Sequence, residues 1–415
     1  MLRQKAYNSA VLYNIGIAVL FLIQLFVFSP ETMDEFEENK QLAIVVPYVT
    51  YPSSYLLFLS SGFSLLFFSY ALLSRKKNAL FYDTFSIFLI CRLIFGVFQV
   101  ILLSAFGEHI GFGNYLIYLF EFFVYMGCLM SITPKSMETF FKVVNICVLV
   151  VSIETIYQSV VGILPQVSYI IPWYKSNMII PFGGSNTLSA IILPVWTAQL
   201  FVSQPKTKLR MAFILVMTVA LILTKSRFAM LIMFLVFMRA MNKNSSSIIR
   251  LLSFIIIAGL FYLFITNLEL VTTLFSGFSD DVEGGAANKL SSGRMSYFST
   301  YIDGFLKNPV IGYGPNYEDS RAHNIIIDVL YQNGVVGLFL FISGISYVLK
   351  GSKKKALSPQ IGYEIEYTRI IVIIYLIQSL AEITYFTYYI CDLIFLPCVA
   401  FLCLNKRYRY NLIEN

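Results

Sequence analysis

The stretch "SYLLFLSSGFSLLFFSYALL", residues 54–73, contains no charged side chain. An α-helix needs about 20 apolar residues to cross the hydrocarbon core of a bilayer, because each residue adds only about 1.5 Å to its length. A second stretch, "VVNICVLVVSIETIYQSVVGI" at residues 143–163, is equally long and carries one charged residue, Glu154. Both stretches predict helices that span a membrane.

The composition of the whole chain extends this prediction. Hydrophobic residues make up 58% of the sequence and charged residues 13%, against about 25% charged residues in soluble domains. We predict an all-α, polytopic integral membrane protein with about 12 transmembrane helices, and we treat residues 1–415 as a single transmembrane domain. The predicted spans are 10–28, 53–73, 80–104, 115–132, 142–163, 187–203, 210–224, 226–241, 249–267, 324–349, 368–386 and 388–405.

The positions of the basic residues predict the orientation in the membrane. Membrane proteins keep Lys and Arg in cytoplasmic loops, and alternating crossings place Arg3, Lys5, "SRKKN", "SQPKTKLR" and "KGSKKK" on one face. We therefore expect both termini in the cytoplasm and the acidic loop "SPETMDEFEENK" outside. This distribution accounts for the net charge of +7 without a nucleic-acid partner. The first apolar run lacks an A-x-A exit, so we interpret it as an uncleaved helix.

Cysteine and histidine usage argues against a metal site. The six cysteines lie in apolar runs without CxxC spacing, and the chain contains two histidines. Isolated cysteines of this kind behave as small hydrophobic residues. We therefore predict no metal and no cofactor.

One connection, residues 268–323, is far longer than the others. Loops of that length without structure are uncommon and are often functional. We predict that it is extracytoplasmic and contains a short helix at "RMSYFSTYIDGFLKN". Its Tyr, Ser and Asn residues suit a sugar surface, and Tyr313 is a candidate substrate contact. A solvated linker is the alternative.

Charged residues inside spans are costly and by default face a partner or a cavity. Arg92 lies in the middle of its span, and we expect a structural pair with Glu121 or Glu154. The turn "KSR" places Lys225 and Arg227 at the extracytoplasmic ends of two spans. Lys225 either anchors the helix end at the interface or contacts substrate, whereas Arg227 is a candidate functional residue.

The stretch "SRAHNIIIDVLYQNG", residues 320–334, places an arginine and a histidine at the start of another span. Asn324, Asp328 and Gln332 recur every four residues and form a polar stripe on one helix face. We expect Gly334 and Gly337 to let another helix or a lipid tail approach closely. A helix N-terminus favours anions, and arginines bind phosphate oxygens bidentately. The stretch therefore points to a phosphate group on a membrane lipid, such as a lipid-linked diphosphate.

Three pieces occur in order: "LTKSRFAML" (223–231), "SSGRMSYFSTYIDGFLKNPVIGYGPN" (291–316) and "SRAHNIIIDVLYQNGVVGLFLF" (320–341). With them the sequence resembles the O-antigen polymerase and O-antigen ligase superfamily of bacterial integral membrane glycosyltransferases. The resemblance implies transfer of glycan from undecaprenyl diphosphate to an acceptor hydroxyl, without a nucleotide sugar or a required metal. It also implies a functional group comprising Arg227, Arg294, Arg321 and His323.

The roles follow from this resemblance together with the chemistry of the side chains. The three arginines would bind the diphosphate leaving group, and His323 would act as general base toward the acceptor hydroxyl. Asp328 would orient the imidazole or replace it as base. The further candidate substrate contacts are Asn324, Tyr313 and Lys225.

The family's reaction implies the location and partners of the protein. We expect it in the bacterial inner membrane, with the active site on the periplasmic side. Its expected partners are the lipid bilayer and undecaprenyl-diphosphate-linked oligosaccharides, as donor and as acceptor. A chain-length regulator and a flippase are further candidate partners.

Three functions remain open. A polymerase transfers the chain to a second lipid-linked repeat unit, and a ligase transfers it to lipid A-core. We favour the polymerase, because its acceptor sugars are strain-specific and the 28 Tyr and 38 Phe residues suit AT-rich polysaccharide gene clusters. A transporter or flippase for the same lipid-linked oligosaccharide is the alternative of another class. The lack of an internal repeat disfavours it.

Overall fold

The computed structural model describes residues 10–20, 27–28, 49–50, 53–73, 83–107, 112–161, 185–202, 208–224, 226–243, 255, 294–315, 322–351, 359–381 and 389–413. In these ranges the chain is almost entirely helical, and β1 (Val27–Phe28) and β2 (Val49–Thr50) form one short parallel pair. The helices are α1 Ala10–Leu20, α2 Ser53–Leu73, α3 Thr84–Ala105, α4 Phe112–Ser131, α5 Pro134–Val161, α6 Ser185–Phe201, α7 Lys208–Leu223, α8 Arg227–Lys243, α9 Arg294–Lys307, α10 Ile325–Gly351, α11 Pro359–Gln378 and α12 Tyr389–Ile413.

Helix length and composition confirm an all-α polytopic membrane protein. In the described part of the chain, three helical segments are long and apolar enough to cross a bilayer: Thr84–Ala105, Lys135–Tyr157 and Ile325–Lys350. The short helix predicted in the long connection is also confirmed, as α9. The predicted span 249–267, apart from Ile255, and residues 268–293 and 316–321 lie outside the described residues.

Several helices begin or end away from the predicted boundaries, for local reasons. α5 was expected to begin at residue 142 but begins at Pro134, where Thr133 and Ser136 cap each other's backbone N–H groups over 2.8 and 3.2 Å. Such a reciprocal cap starts a helix whatever the hydropathy of its first turn. α11 ends at Gln378, whereas the predicted span ran to residue 386.

Two helices lie at the centre of the bundle. Nearly every described side chain of α6 is buried, and so is every one of α12 from Cys391 to Asn405. The indole N–H of Trp196 in α6 donates to the hydroxyl oxygen of Thr218 in α7 over 2.8 Å, which satisfies a polar group that would be costly to bury alone. Around this centre, α3 and α4 join at Asp83, whose carboxylate caps α3 and accepts from the hydroxyl of Tyr125 over 2.8 Å.

α10 is two helices joined at a break. Gly334 has φ 65° and ψ −168°, so residues 325–333 form a first half-helix and residues 335–351 a second half-helix. The segment 308–314, "NPVIGYG", packs against the break. The N–H of Val335 donates to the carbonyl of Pro309 over 2.9 Å, and the N–H of Tyr313 donates to that of Tyr331 over 2.6 Å. Irregular backbone at membrane depth needs this kind of internal partner.

Gly334 does permit a close approach, but to a different neighbour from the one expected. A Cβ atom at this position would lie 2.3 Å from the carbonyl oxygen of Val310. The protein group that approaches Gly334 is therefore the loop 308–314. At Gly337 the nearest atoms to an added Cβ belong to the side chain of Asn333 in the same helix.

Candidate functional site

The start of α10 is fixed to the end of α11. The N–H of Ile325 donates to the carbonyl of Ser379 over 2.8 Å, and the side-chain amide of Asn324 donates to the carbonyl of Leu380 over 3.0 Å. The amide oxygen of Asn324 accepts from the N–H groups of Ile326 and Ile327 over 2.9 and 3.3 Å. Asn324 is thus the N-cap of α10. Its role as a substrate contact stays a prediction, and its amide is already engaged by the fold.

His323 has a left-handed backbone, with φ 54°. Few residues other than glycine adopt this conformation, although histidine does so more often than most. Both neighbours of His323 in the chain are held in place. Ala322 is fully buried beside Tyr301 and Tyr331, and Asn324 caps the helix. The Nδ1 atom of His323 is enclosed by protein, and the residue as a whole is partly exposed. Strained backbone held in this way is typical of functional sites.

Asp328 lies in the first turn of α10 and is 4% exposed. It belongs to the stripe predicted from the sequence, between Asn324 at the cap and Gln332 at the far end of the first half-helix. A carboxylate in a first helical turn is stabilised by the helix dipole. Its predicted role, as base or as the group that orients His323, stays a prediction.

An aromatic cluster covers the first half-helix. The rings of Tyr301 in α9 and Tyr331 in α10 meet edge to face at 4.7 Å, and the ring of Tyr313 lies 5.6 Å from that of Tyr331. Gly304 permits this contact, because an added Cβ would lie 2.4 Å from the Tyr331 ring. Tyr313 is half-buried, with the ammonium of Lys307 5.9 Å from its ring centre. The loop helix α9 thus packs directly on the element that carries Asp328.

The start of α8 lies at the same end of the bundle as the start of α10, as the directions of α6, α7 and α8 indicate. The Arg210 guanidinium at the start of α7 donates to the carbonyl of Val202 at the end of α6 over 2.8 Å. α7 therefore runs back along α6, and α8, which begins at Arg227, runs parallel to α6. Near the start of α6, Ser189 accepts from the amide of Gln378 over 3.2 Å, next to the Ser379–Ile325 contact.

The predicted cationic residues can be placed only in part. Arg227 is the first residue of α8 and Arg294 the first of α9, and their side chains are not described. Lys225 and Arg321 lie outside the described residues. Among the described residues no group of three His, Cys, Asp or Glu side chains could hold a metal ion.

The segment that contains these elements matches a known family. The model of the family described as O-Antigen ligase matches residues 212–342, which run from α7 into the second half-helix of α10. The match supports the resemblance of the sequence to the O-antigen polymerase and ligase superfamily. The members of the O-antigen ligase family are membrane enzymes of the glycosyltransferase and ligase type. No curated protein matches the chain.

A buried polar network reaches the O-antigen ligase segment from outside it. Arg92 in α3 forms an ion pair with Glu121 in α4 at 3.1 Å, with the two side chains 1% and 0% exposed. This confirms one of the two partners expected for Arg92. The same guanidinium donates to the side-chain oxygen of Gln332 over 3.1 Å. Its carbon lies 4.1 Å from the centre of the Tyr118 ring.

Gln99 adds a second contact that the sequence analysis missed. Its amide donates to the carbonyl of Gln332 over 2.6 Å and to that of Ile311 over 2.8 Å. It thereby joins the loop 308–314 to the end of the first half-helix. A signal was present in the sequence, because Gln99 lies two turns after Arg92 on the same face of α3.

Proposed function

We propose that the protein is a polysaccharide polymerase. It transfers glycan from an undecaprenyl-diphosphate-linked donor to a lipid-linked acceptor repeat unit on the extracytoplasmic side of the inner membrane. The observation that carries the proposal is His323, held in a left-handed conformation at the capped start of α10 inside the O-antigen ligase segment.

In the proposed step the acceptor hydroxyl oxygen attacks the anomeric carbon of the donor. The bond from that carbon to the diphosphate oxygen breaks, and its electron pair leaves with undecaprenyl diphosphate. The hydroxyl proton passes to the imidazole of His323, and Asp328 orients the ring or takes the proton in its place. Direct displacement of this kind inverts the anomeric centre. The reaction uses no metal and no nucleotide sugar.

The capping contacts support the proposal that arginines bind the leaving group. The N–H groups of Ile325, Ile326 and Ile327 donate to protein oxygens already. The helix end therefore supplies the field of its dipole and no spare hydrogen-bond donor in these residues. In the proposed site Arg227, Arg321 and Arg294 bind the charge that develops on the diphosphate, because their planar forks match phosphate oxygens.

A ligase is the second candidate, because the matching family is described as O-Antigen ligase. The two functions differ only in the acceptor, which is a lipid-linked repeat unit for the polymerase and lipid A-core for the ligase. Polysaccharide profiling of a deletion strain tests the proposal. Lipid-linked single repeat units mean a polymerase, and long chains left unattached mean a ligase. An unaltered polysaccharide would overturn both.

The three arginines Arg227, Arg321 and Arg294, called the arginine clamp below, have their own test. Arg227→Ala and Arg321→Ala are expected to abolish chain growth, and lysine at either position should restore little, because an ammonium lacks the planar fork. Lys142→Ala, which removes an exposed lysine on α5, is the matched control and should grow full-length chains. Membrane levels of each variant are measured by immunoblot. Full chain growth in both Arg→Ala variants contradicts the clamp.

The orientation of the site depends on the topology. With both termini in the cytoplasm, reporter fusions after Ser279 and after Ser352 should report opposite sides of the membrane, with Ser279 outside. A cytoplasmic signal from both fusions would contradict the periplasmic location of the site.

A further inference from the structure

The first half-helix of α10 is held at its far end by two helices outside the O-antigen ligase segment. Gln332 is the penultimate residue of this half-helix and is 1% exposed. Its side-chain oxygen accepts from the guanidinium of Arg92 over 3.1 Å, and its backbone carbonyl accepts from the amide of Gln99 over 2.6 Å. One residue is thus held through both its side chain and its backbone.

The charge of Arg92 is balanced within the same contact. Glu121 lies 3.1 Å from one guanidinium nitrogen, while another nitrogen of the group donates to Gln332. The face of the Tyr118 ring covers the guanidinium at 4.1 Å. The N–H donors of a guanidinium have a fixed geometry. Because Glu121 and the Tyr118 ring hold the Arg92 guanidinium in place, its remaining donor has a fixed direction toward Gln332.

The break at Gly334 makes this contact important for the other end of the half-helix. A continuous helix would transmit its orientation from the second half-helix, but φ 65° at Gly334 interrupts the helical backbone. The first half-helix is about 13 Å long and internally rigid. Its rotation about its own axis therefore depends on its own contacts, including the one at Gln332, and Asp328 turns with it.

We infer that Arg92, held by Glu121, is a positioning residue for the transfer reaction: through Gln332 it fixes the rotation of the first half-helix and thereby the placement of Asp328 and His323. The part of this inference that concerns the reaction rests on the proposed function. The contact between Arg92 and Gln332 is called the Arg92–Gln332 latch below.

The test removes both charges of the buried pair together. Arg92→Met with Glu121→Gln leaves no unpaired buried charge, so the protein is expected to insert and fold. The matched control is Lys142→Met with Glu138→Gln, which removes an exposed ion pair of α5. Both proteins are purified in lipid nanodiscs for amide hydrogen exchange, and both genes are returned to the deletion strain to measure chain growth.

Loss of the latch should loosen one half-helix only. Amide exchange at residues 328–332 should become at least about tenfold faster, while residues 338–348 and the helices α3 and α4 keep their wild-type protection. Chain growth should fall by about 10- to 100-fold at an unchanged membrane level, because small misplacements of reacting groups cost rates of this size. The control double variant should match the wild type in both measurements.

A second substitution that restores the ion pair distinguishes a positioning role of Arg92 from general support of the fold. Glu121→Gln alone leaves Arg92 without its carboxylate and should show the same loosening. Adding Gln332→Glu returns a carboxylate to a position already 3.1 Å from the guanidinium. Protection of residues 328–331 and chain growth should return to within about threefold of wild type. Gln332→Leu in the same background should not restore either.

Three results would overturn the inference. Exchange could stay unchanged in the charge-free variant, or it could rise alike in both half-helices and in α3 and α4, which would make the pair a general support of the fold. Chain growth could also stay normal while residues 328–332 exchange faster. The exchange measurement needs no substrate. If the wild-type gene restores no polysaccharide, the proposed function fails, and exchange still decides whether the latch holds the half-helix.

Discussion

The two halves of α10 differ in the contacts that hold them in place. The first half-helix buries the polar residues Asp328, Gln332 and Asn333 and is fixed at both ends by hydrogen bonds. The second half-helix exposes apolar residues, with Phe339 69% and Ile342 50% exposed. Directional contacts specify position and rotation, whereas an apolar helix in lipid needs only shape complementarity with its neighbours. The first half thus has the contacts that specify position and rotation, and the second presents an apolar surface.

Packing of the second half-helix illustrates the contrast. The ring of Phe341 lies 5.3 Å from that of Phe88 in α3, and an added Cβ at Gly344 would lie 3.0 Å from the backbone of Phe85. These are van der Waals contacts, which dominate helix association in membranes. Substitutions should therefore have different consequences on the two sides of Gly334.

The largest effect is expected where the two halves meet. Gly334→Ala adds a Cβ that would lie 2.3 Å from the Val310 carbonyl oxygen, at φ 65°. Left-handed backbone and steric overlap each cost about 1–3 kcal/mol, so the loop 308–314 must detach or the helix must straighten. We expect loss of chain growth and a lower melting temperature in nanodiscs.

Gly62→Ala is the control for this change, because an added Cβ there meets nothing within 4 Å. It should leave the melting temperature and chain growth unaltered. A Gly334→Ala protein with normal growth would mean that the break is dispensable.

The next largest effect concerns the rate and leaves the fold intact. His323→Ala should slow transfer by about two to four orders of magnitude, the usual contribution of proton transfer. Donor binding should persist, because the proposed arginine clamp is unchanged. A general base must be neutral, so the wild-type rate should fall as the pH drops and the imidazole takes up a proton. Transfer by purified protein, measured across pH, checks both expectations.

His323→Gln distinguishes catalysis from positioning. Glutamine can donate a hydrogen bond to phosphate or sugar but cannot act as a base. Near-normal transfer with a flat pH profile in this variant would show that His323 positions substrate. Asp328 would then become the candidate base.

A smaller effect is expected at Gln99. Gln99→Leu removes the donor shared by the Ile311 and Gln332 carbonyls, and a buried acceptor left without its partner costs about 1–3 kcal/mol. We expect a lower melting temperature and faster amide exchange at residues 328–332. Phe98→Leu, on the neighbouring position that is 52% exposed, is the control. Equal melting temperatures for the two variants would show that Gln99 does not hold the break.

The smallest effect should come from the second half-helix. Phe339→Leu changes a side chain that is 69% exposed, and substitutions of this kind usually alter stability by no more than about 0.5 kcal/mol. Chain growth and the melting temperature should both match the wild type. A marked loss of chain growth would reveal a partner on this face and would contradict the proposed difference between the two halves.

The sequence predicted the fold class, most of the described helices and the helix α9, because hydropathy and turn residues are local signals. It did not predict the break in α10. Hydropathy averaged over about 20 residues treats residues 324–349 as one apolar run. The break depends on the loop 308–314 supplying carbonyls to Val335 and Val336, and that contact exists only in the folded chain.

The site was predicted in part, for related reasons. His323 and Asp328 were identified as candidates from residue type and position, and their catalytic roles stay predictions. Asn324 was interpreted as a substrate contact, although an Asn directly before an apolar helix is a common N-cap. The bond from Gln99 to Gln332 joins residues 233 positions apart, and one sequence gives no means of pairing such distant residues.

The distance along the chain between Arg92 and Gln332 bears on how the protein is made. Arg92 leaves the ribosome 240 residues before Gln332, so α3 must enter the bilayer while its final hydrogen-bond partner has not been translated. A lone arginine in mid-membrane costs at least about 2.5 kcal/mol on insertion scales. Glu121, on the very next helix, can neutralise it as soon as α4 follows. The ion pair would therefore leave α3 without an unpaired charge in the bilayer while α10 has yet to be made.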